Sequence, residues 1–142
     1  MATAIDLAVD TSALTAILLG EPEAPDLLKT LVAATRPGIC APNRTEFLIV
    51  MQSRLGDVGV ERARTFLQMQ RIRTIALDEV LADRATEAYR VFGKGRHPAG
   101  LNFGDCFSYA LAAGERVPLL FKGEDFSQTD VRCARRIRQA GQ

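Results

Sequence analysis

The sequence contains no tryptophan, one histidine and three cysteines among its 142 residues. Because His97 is the only histidine, a pair of histidines acting as acid and base is excluded. Cys40, Cys106 and Cys133 are scattered and form no Cys-x-x-Cys spacing. This pattern argues against a disulfide framework and against a zinc site. It is typical of a reducing cytoplasm, where we expect the protein to act.

Long apolar runs are absent as well. No run approaches the roughly 20 residues that a transmembrane helix needs, and the N-terminus lacks the basic and hydrophobic segments of a secretory signal. With 47% hydrophobic and 25% charged residues, the composition is that of a globular protein. The length matches a single domain over residues 1–142. We therefore expect neither membrane insertion nor secretion.

The chain also lacks an excess of charge of one sign, since its formal net charge is +1. Any contact with nucleic acid must then come from local basic patches. One candidate patch is a glycine-rich loop with Lys94, Arg96 and His97. The other is the basic tail at 132–142, whose arginines are Arg132, Arg135, Arg136 and Arg138. Each patch is equally well explained as ordinary solvated surface charge.

Three short apolar runs, at 5–9, 39–41 and 117–121, predict β-strands, and the alternation of apolar and polar residues over 72–77 predicts a fourth. Between them, apolar residues recur at helical spacing over 14–18, 27–32, 43–55, 60–67, 80–92 and 102–115. Pro42 is expected to end the second strand, and Asn43 or Thr45 to start the next helix. Gly56 and Gly59 are expected to interrupt that helix. Strands that alternate with helices predict a parallel sheet flanked by helices.

Four acidic residues lie where a strand or loop leads into a helix or turn: Asp10, Glu46, Asp105 and Asp125. In open α/β sheets, ligands bind outside the carboxyl ends of the strands, so all four side chains are expected at one rim. Mg²⁺ and Mn²⁺ prefer such oxygen ligands. A cation held there can polarise a phosphate and activate a water molecule. The four acids therefore indicate phosphodiester chemistry.

Each acid also has a purely structural interpretation. Asp10 can cap the helix that follows it, and Asp105 can form a capping pair with Asn102. Glu46, in the first turn of its predicted helix, can complement the helix dipole. Asp125 can be an ordinary turn residue. Taken singly, none of the four acids identifies a site.

The segments that carry these acids read VDTSAL at 9–14, TE at 45–46, LNFGDCFSYALA at 101–112 and LLFKGEDFSQTD at 119–130. Together they resemble PIN-domain ribonucleases, and among these the VapC toxins of bacterial toxin–antitoxin pairs. The resemblance covers residues 5–131, and the segments around Asp105 and Asp125 are its most specific parts. The chain departs from the pattern at Glu124, where related toxins often carry Asp or Asn, and in its longer, more basic tail.

The resemblance implies a three-layer α/β/α sandwich with a parallel sheet of four or five strands. It implies that Asp10, Glu46 and Asp105 bind Mg²⁺ or Mn²⁺, with Asp125 as a fourth acid and catalytic residue. A metal-bound water would then attack the phosphorus in line. The residues expected to support this cluster are Thr11, Ser12 and Asn102.

The resemblance also implies partners. Members of the family cleave RNA, commonly tRNA or rRNA, are neutralised by a VapB antitoxin and usually form homodimers. We expect partner contacts on the apolar helices at 26–34 and 43–55. The residues expected to contact RNA are Lys94, Arg96, His97 and Lys122.

Three alternatives use the same residues differently. A receiver-type signalling domain would use Asp78 as phosphoacceptor with Lys122, but it needs adjacent acids after the first strand. A haloacid-type phosphatase needs an aspartate where Ser12 stands. The third alternative is a nucleic-acid-binding component of a toxin–antitoxin complex with weak or no nuclease activity. Metal-dependent RNA cleavage distinguishes it from the enzyme. Cys106, beside Asp105, is expected to fill the core rather than act as a nucleophile.

Overall fold

The central sheet is built from the short apolar runs of the sequence. The computed structural model describes residues 5–134. Its strands are β1 (Leu7–Val9), β2 (Pro37–Cys40), β3 (Arg73–Ile75) and β4 (Leu119–Leu120). They pair in parallel in the order β3-β2-β1-β4. All four predicted strands are confirmed, although each observed strand is shorter than its apolar run or shifted against it.

Helices connect these strands, and each has either a capping side chain before it or a proline in its first turn. They are α1 (Thr11–Leu18), α2 (Ala24–Ala33), α3 (Ala41–Met69), α4 (Glu79–Phe92) and α5 (Phe103–Glu115), and a short 3₁₀ helix spans Asp125–Gln128. The side chains of Asp10, Asp78 and Asn102 cap α1, α4 and α5 by accepting hydrogen bonds from backbone N–H groups. These caps fix where the helices leave the sheet.

Alternation along the strands divides the core into two halves. Leu7 and Val9 of β1 pack with apolar residues of α1, α2 and α3. Ala8, between them, packs with apolar residues of α4 and α5. Because successive side chains of a strand point to opposite faces, the sheet carries helices on both sides. The predicted three-layer α/β/α sandwich is confirmed.

Helix α3 differs from its prediction in two ways. It begins at Ala41, so Pro42 lies in the first turn, where its missing N–H costs no hydrogen bond. Glu46 consequently lies in the second turn, and its predicted place in the first turn is wrong. Gly56 breaks the helix with a φ of 69°, as expected. Gly59 does not break it: the residue is buried against the carbonyl oxygen of Met51, where a larger side chain would clash.

The parallel sheet gathers the candidate residues at one edge. The Asp10 N–H donates to the carbonyl oxygen of Leu120 at 2.9 Å, which sets the start of α1 beside the end of β4. Within residues 5–134, no helix has the length and apolar character needed to cross a membrane. Of the tail arginines, only Arg132 belongs to the described part; Arg135, Arg136 and Arg138 lie outside the described residues.

Candidate active site at the carboxyl edge of the sheet

Asp10 is the innermost acid of the site. It follows β1 directly and is 4% exposed. One carboxylate oxygen accepts a hydrogen bond from the Ser12 N–H at 2.9 Å, and the other accepts one from the Ser108 hydroxyl. Burial raises the pKa of Asp10, the bonds from Ser108 and Ser12 lower it, and the charge of Glu46 raises it again. The carboxylate is thus held firmly by neutral donors that do not balance its charge.

Asp105 lies in the first turn of α5 and forms the predicted capping pair with Asn102. The Asn102 N–H donates to Asp105 Oδ2 at 3.1 Å, and the Asp105 N–H donates to Asn102 Oδ1 at 2.9 Å. Burial raises the pKa of Asp105 to about 7; the hydrogen bond from Asn102 opposes this shift, and the charges of Asp10, Asp125 and Glu46 add to it. All three other acids therefore act electrostatically on Asp105.

Glu46 is positioned by contacts between the starts of three helices. The Thr11 hydroxyl of α1 lies 2.7 Å from Glu46 Oε1 and 3.0 Å from the carbonyl oxygen of Asn43. The Asn43 side chain donates to the Gly104 carbonyl of α5 at 2.9 Å. A Cβ atom at Gly104 would lie 2.8 Å from Glu46 Oε2. Glycine is therefore required at position 104 if the Glu46 carboxylate is to lie against α5.

Two polar residues of the site, Asn43 and Ser108, were not predicted. They are 0% and 1% exposed. Asn43 precedes Glu46 by three residues and Ser108 follows Asp105 by three, so each shares a helix face with a predicted acid. A polar residue on an otherwise buried helix face was the available signal. The Oδ1 atom of Asn43 is buried and has no hydrogen-bond partner among the described residues.

Asp125 and Lys122 come from the segment after β4. Asp125 is exposed at the start of the 3₁₀ helix, and its charge reaches Asp105. The Lys122 N–H donates to Ser12 Oγ at 3.0 Å, which joins this segment to α1. The Lys122 ammonium pairs with Glu21, which raises the pKa of the lysine. Its predicted contact with RNA would compete with this ion pair.

The glycine-rich loop between α4 and α5 holds the other predicted RNA contacts. Lys94 and Arg96 are exposed. The guanidinium carbon of Arg96 lies 5.7 Å from the centroid of the Tyr89 ring. His97 instead packs edge-on against Phe92, with ring centroids 5.0 Å apart, and its Nδ1 accepts a hydrogen bond from the Ala99 N–H at 3.0 Å. The histidine thus has contacts that stabilise the loop itself.

The predicted acids fit a hard divalent cation in ligand type and in charge. All four supply oxygen ligands, and a cation would offset the repulsion that raises the pKa of Asp105. The unpartnered Asn43 Oδ1 adds a neutral oxygen beside Glu46. Within residues 5–134, no three acidic, histidine or cysteine side chains already form a metal-binding cluster. The fit therefore concerns chemistry and charge, not a preformed cage.

The structure disfavours the rival sites. Asp78 follows β3 and Lys122 follows β4, at opposite edges of the sheet, and the Asp78 side chain caps α4. This separation argues against a receiver-type site. Cys106 is buried, and burial raises the pKa of its thiol to about 11, so it stays protonated at neutral pH. Its predicted place in the core is confirmed.

Comparison with known proteins decides the family. The model of the PIN domain family matches residues 7–132. A ribonuclease VapC of Mycolicibacterium smegmatis is 48% identical, over 88% of this chain and 97% of that protein. The chain belongs to the PIN-domain family, among the VapC ribonucleases. The resemblance inferred from the segments around Asp10, Glu46, Asp105 and Asp125 is confirmed.

Solved VapC structures share the fold. VapC20 of Mycobacterium tuberculosis, described as a sarcin–ricin loop cleaving toxin, superposes with a TM-score of 0.71 at 17% identity, covering 88% of this chain and 95% of that one. VapBC2 of Rickettsia felis, solved with a DNA fragment from its promoter, gives a TM-score of 0.64 at 15% identity, covering 89% and 95%. The α/β/α layering is thus a PIN-domain architecture.

Proposed function

We propose that this VapC protein is a metal-dependent endoribonuclease, the toxin of a toxin–antitoxin pair, and that it hydrolyses RNA at the rim formed by Asp10, Glu46, Asp105 and Asp125. The observation that carries the proposal is the set of contacts that joins the acids across three helices: Ser108 of α5 bonds Asp10, Thr11 of α1 bonds Glu46, and the Glu46 carboxylate lies against Gly104, next to Asp105. A protein that needed these acids only as helix caps would gain nothing from placing them within reach of each other. A site for a divalent cation and a phosphate explains the arrangement.

In this mechanism Asp10, Asp105 and Glu46 would hold the cation. A bound Mg²⁺ or Mn²⁺ would supply a water of lowered pKa and would offset charge on the phosphate. Asp10 provides a fixed oxygen because Ser12 and Ser108 hold its carboxylate. Thr11 and Asn43 orient Glu46. Asp125, which is exposed, would add negative charge on the outer side of the cation.

The substrate we propose is a single-stranded loop of tRNA or rRNA. Bases in loops can be unstacked and read individually, whereas the deep major groove of an RNA helix is closed to side chains. The description of VapC20 as a toxin that cleaves the sarcin–ricin loop supports a substrate of this class. The three cysteines, all free thiols, support action in the reducing cytoplasm.

The partner we propose is a VapB-type antitoxin, and the VapBC2 complex of Rickettsia felis supports this assignment. The predicted partner helices carry exposed apolar side chains, with Val32 62% and Ile49 63% exposed. An open apolar groove of about 540 Å³ is formed by the end of α1 and the second half of α3, lined by Leu18, Val58 and Met69 among others. Apolar surface of this kind is used for protein contacts. We assign it to the antitoxin or to a second copy of the chain.

The test is cleavage of purified tRNA and rRNA by the antitoxin-free protein in Mg²⁺, in Mn²⁺ and in EDTA. The matched variant is Asp105→Asn, because an asparagine oxygen can still accept the Asn102 hydrogen bond and preserve the cap. Discrete cuts that need metal and disappear in the variant are expected. No cutting by the folded wild-type protein in either metal would favour the alternative, a nucleic-acid-binding component without nuclease activity.

A further inference from the structure

An aromatic side chain is exposed at the start of α5, the helix that also carries Asp105 of the acidic rim. Phe103, the first residue of α5, is 79% exposed, which is more than any other large hydrophobic side chain in residues 5–134. Exposure of one phenylalanine is costly, because its apolar surface stays in contact with water. Because Phe103 lies in the first turn of the helix that also carries Asp105, its exposed ring is available to a ligand that has an apolar face.

Phe103 is held in place although it is exposed. Its ring meets the ring of Phe107 edge-on, with centroids 4.9 Å apart and planes at 81°. Both rings line an open groove of about 470 Å³ between α4 and α5, whose wall also includes Leu77, Tyr89 and Cys106. The edge contact fixes one side of the Phe103 ring and leaves a face available for stacking.

The groove and the acidic rim both include residues from the first turn of α5. Phe103 and Asp105 are two residues apart in α5, so they lie about 200° apart around the helix axis and about 3 Å apart along it. Gly104 stands between them, has no side chain and packs against the Glu46 carboxylate. A strand bound across this end of α5 would pass from the acids on one side to Phe103 on the other.

One wall of the groove adjoins positive charge. Tyr89 lines the groove, and the Arg96 guanidinium lies over its ring. The Tyr89 hydroxyl donates to the carbonyl oxygen of Lys94 at 3.3 Å, which attaches the loop to α4. Lys94 and Arg96 are exposed. This part of the surface thus combines acids and an aromatic ring on α5 with two basic side chains on the neighbouring loop.

We propose that Phe103 is the stacking platform for an unpaired base next to the phosphate that is cleaved, and that Lys94 and Arg96 bind phosphates beyond that base. The inference rests on the proposed ribonuclease function and specifies how the strand is held. Aromatic rings combined with basic residues are the usual elements of single-strand binding, because every base has a face that can stack. An apolar protein segment would use the ring but not the adjacent charges.

The absence of tryptophan from the chain makes the proposal directly measurable. Phe103→Trp in an Asp105→Asn background introduces a single tryptophan, which can be excited apart from the two tyrosines, into a protein that is not expected to cut its ligand. We expect a short single-stranded RNA to quench this fluorescence and an abasic strand of equal length to leave it almost unchanged. The control is Met69→Trp in the same background, since Met69 is 73% exposed in the separate groove beside α1. Its fluorescence is expected to stay constant.

Cleavage kinetics separate stacking from simple hydrophobic contact. Phe103→Ala and Phe103→Leu are expected to raise KM for a single-stranded substrate about tenfold, because removal of one stacked base contact has an effect of about this size. Phe103→Tyr is expected to keep the wild-type KM. All three variants should unfold at similar temperatures, because the side chain is exposed.

The outcomes distinguish this inference from the ribonuclease proposal. If the wild-type protein cuts RNA with metal but Phe103→Ala keeps the wild-type KM and Phe103→Trp is not quenched, only the stacking platform is refuted. Quenching by an antitoxin and not by RNA would also refute it and would assign the groove to the protein partner. If the wild-type protein fails to cut RNA in Mg²⁺ and Mn²⁺, the ribonuclease proposal itself fails.

Discussion

Asp10 and Asp125 both act on Asp105 through their charges, yet the chain holds them very differently. Asp10 is buried and accepts hydrogen bonds from Ser12 and Ser108. Asp125 is exposed and starts a short 3₁₀ helix. Thr11 and Asn43 also contact Glu46 on the inner side. The rim therefore has an inner half, in which hydrogen bonds hold the carboxylates of Asp10 and Glu46, and an outer half, in which the carboxylate of Asp125 is exposed and free to adjust.

This difference suggests how a cation site can be built without a preformed cage. The inner acid is fixed by neutral donors before any cation arrives, so its oxygens need no reorganisation. Burial raises the pKa of Asp105, and the charges of Asp10, Asp125 and Glu46 add to this shift by repulsion. Binding of a divalent cation would remove that repulsion. We expect changes in the inner half to affect activity most.

The largest effect is expected for Asp10→Asn. An asparagine can keep both hydrogen-bond contacts, to the Ser12 N–H and the Ser108 hydroxyl, but loses the charge. RNA cleavage should fall by about a thousandfold or more, because several kcal/mol of charge stabilisation are lost. In EDTA the variant should melt at or above the temperature of the wild type, since burial disfavours the charged form of Asp10. Full activity in the variant would contradict its assignment as a ligand.

A smaller effect is expected for Gly104→Ala. The added methyl group would lie 2.8 Å from Glu46 Oε2 and would push the flexible end of Glu46 away from α5. Cleavage should fall about ten- to a hundredfold, as is usual when a ligand loses its orientation. Gly114→Ala is the matched control in the same helix, where the added atom would meet the mobile end of Arg84. Equal losses in both variants would point to damage of α5 rather than of the site.

Thr11→Val tests the contact between α1 and α3. The change keeps the shape of the side chain but removes the hydroxyl that lies 2.7 Å from Glu46 Oε1. We expect cleavage to fall about tenfold and the cation affinity to fall with it. Thr15→Val is the control on the same helix, because the Thr15 hydroxyl is buried without a hydrogen-bond partner among the described residues. That variant should keep full activity and equal or higher stability.

Asp125→Asn is expected to have the smallest effect on activity, about a few-fold. The side chain is exposed, so the change removes a charge and no fixed contact. The loss should appear mainly as a higher Mn²⁺ concentration at half-maximal rate. A loss of activity as large as that of Asp10→Asn would contradict this ranking, because the exposed Asp125 would then contribute as much as the buried Asp10.

The last prediction concerns stability in EDTA. The pKa of Asp105 is about 7 in the folded protein and 3.8 in its ordinary state, so between these values the folded protein holds a proton that the unfolded chain has lost. The free energy of unfolding must then fall as the pH rises from about 4 to 7. Melting temperatures measured in EDTA at pH 5, 6, 7 and 8 should decrease, and Asp105→Asn should weaken the trend. The prediction would be contradicted if the melting temperature rose with pH and rose equally in the wild type and in Asp105→Asn.

The sequence predicted the elements of the fold better than their ends. Apolar runs located β1, β2 and β4, because buried parallel strands are apolar on both faces. Alternation located β3, in which Arg73 and Thr74 are exposed and Ile75 is buried. The sequence places the start of α3 too late, at Asn43 or Thr45, because a proline suits the residue after a strand and the first turn of a helix equally well.

The sequence alone does not show how close the four acids lie to one another in the fold. Asp105 is both a helix cap and a member of the rim, so the structural and functional interpretations were not exclusive. Asn43 and Ser108 were missed because their partners, Gly104 and Asp10, are 61 and 98 residues away in the chain. Such contacts follow from the packing of α3 and α5 against the sheet and leave no local pattern.

The most direct test of the central claim is Mn²⁺ binding, followed by electron paramagnetic resonance at neutral pH, for the wild-type protein, Asp10→Asn, Asp105→Asn and Gly114→Ala. If the rim holds the cation, the wild type and Gly114→Ala should bind Mn²⁺ with equal affinity, and both acid variants should lose that binding while remaining folded. Equal Mn²⁺ binding by all four proteins would contradict the account, because the cation would then lie elsewhere.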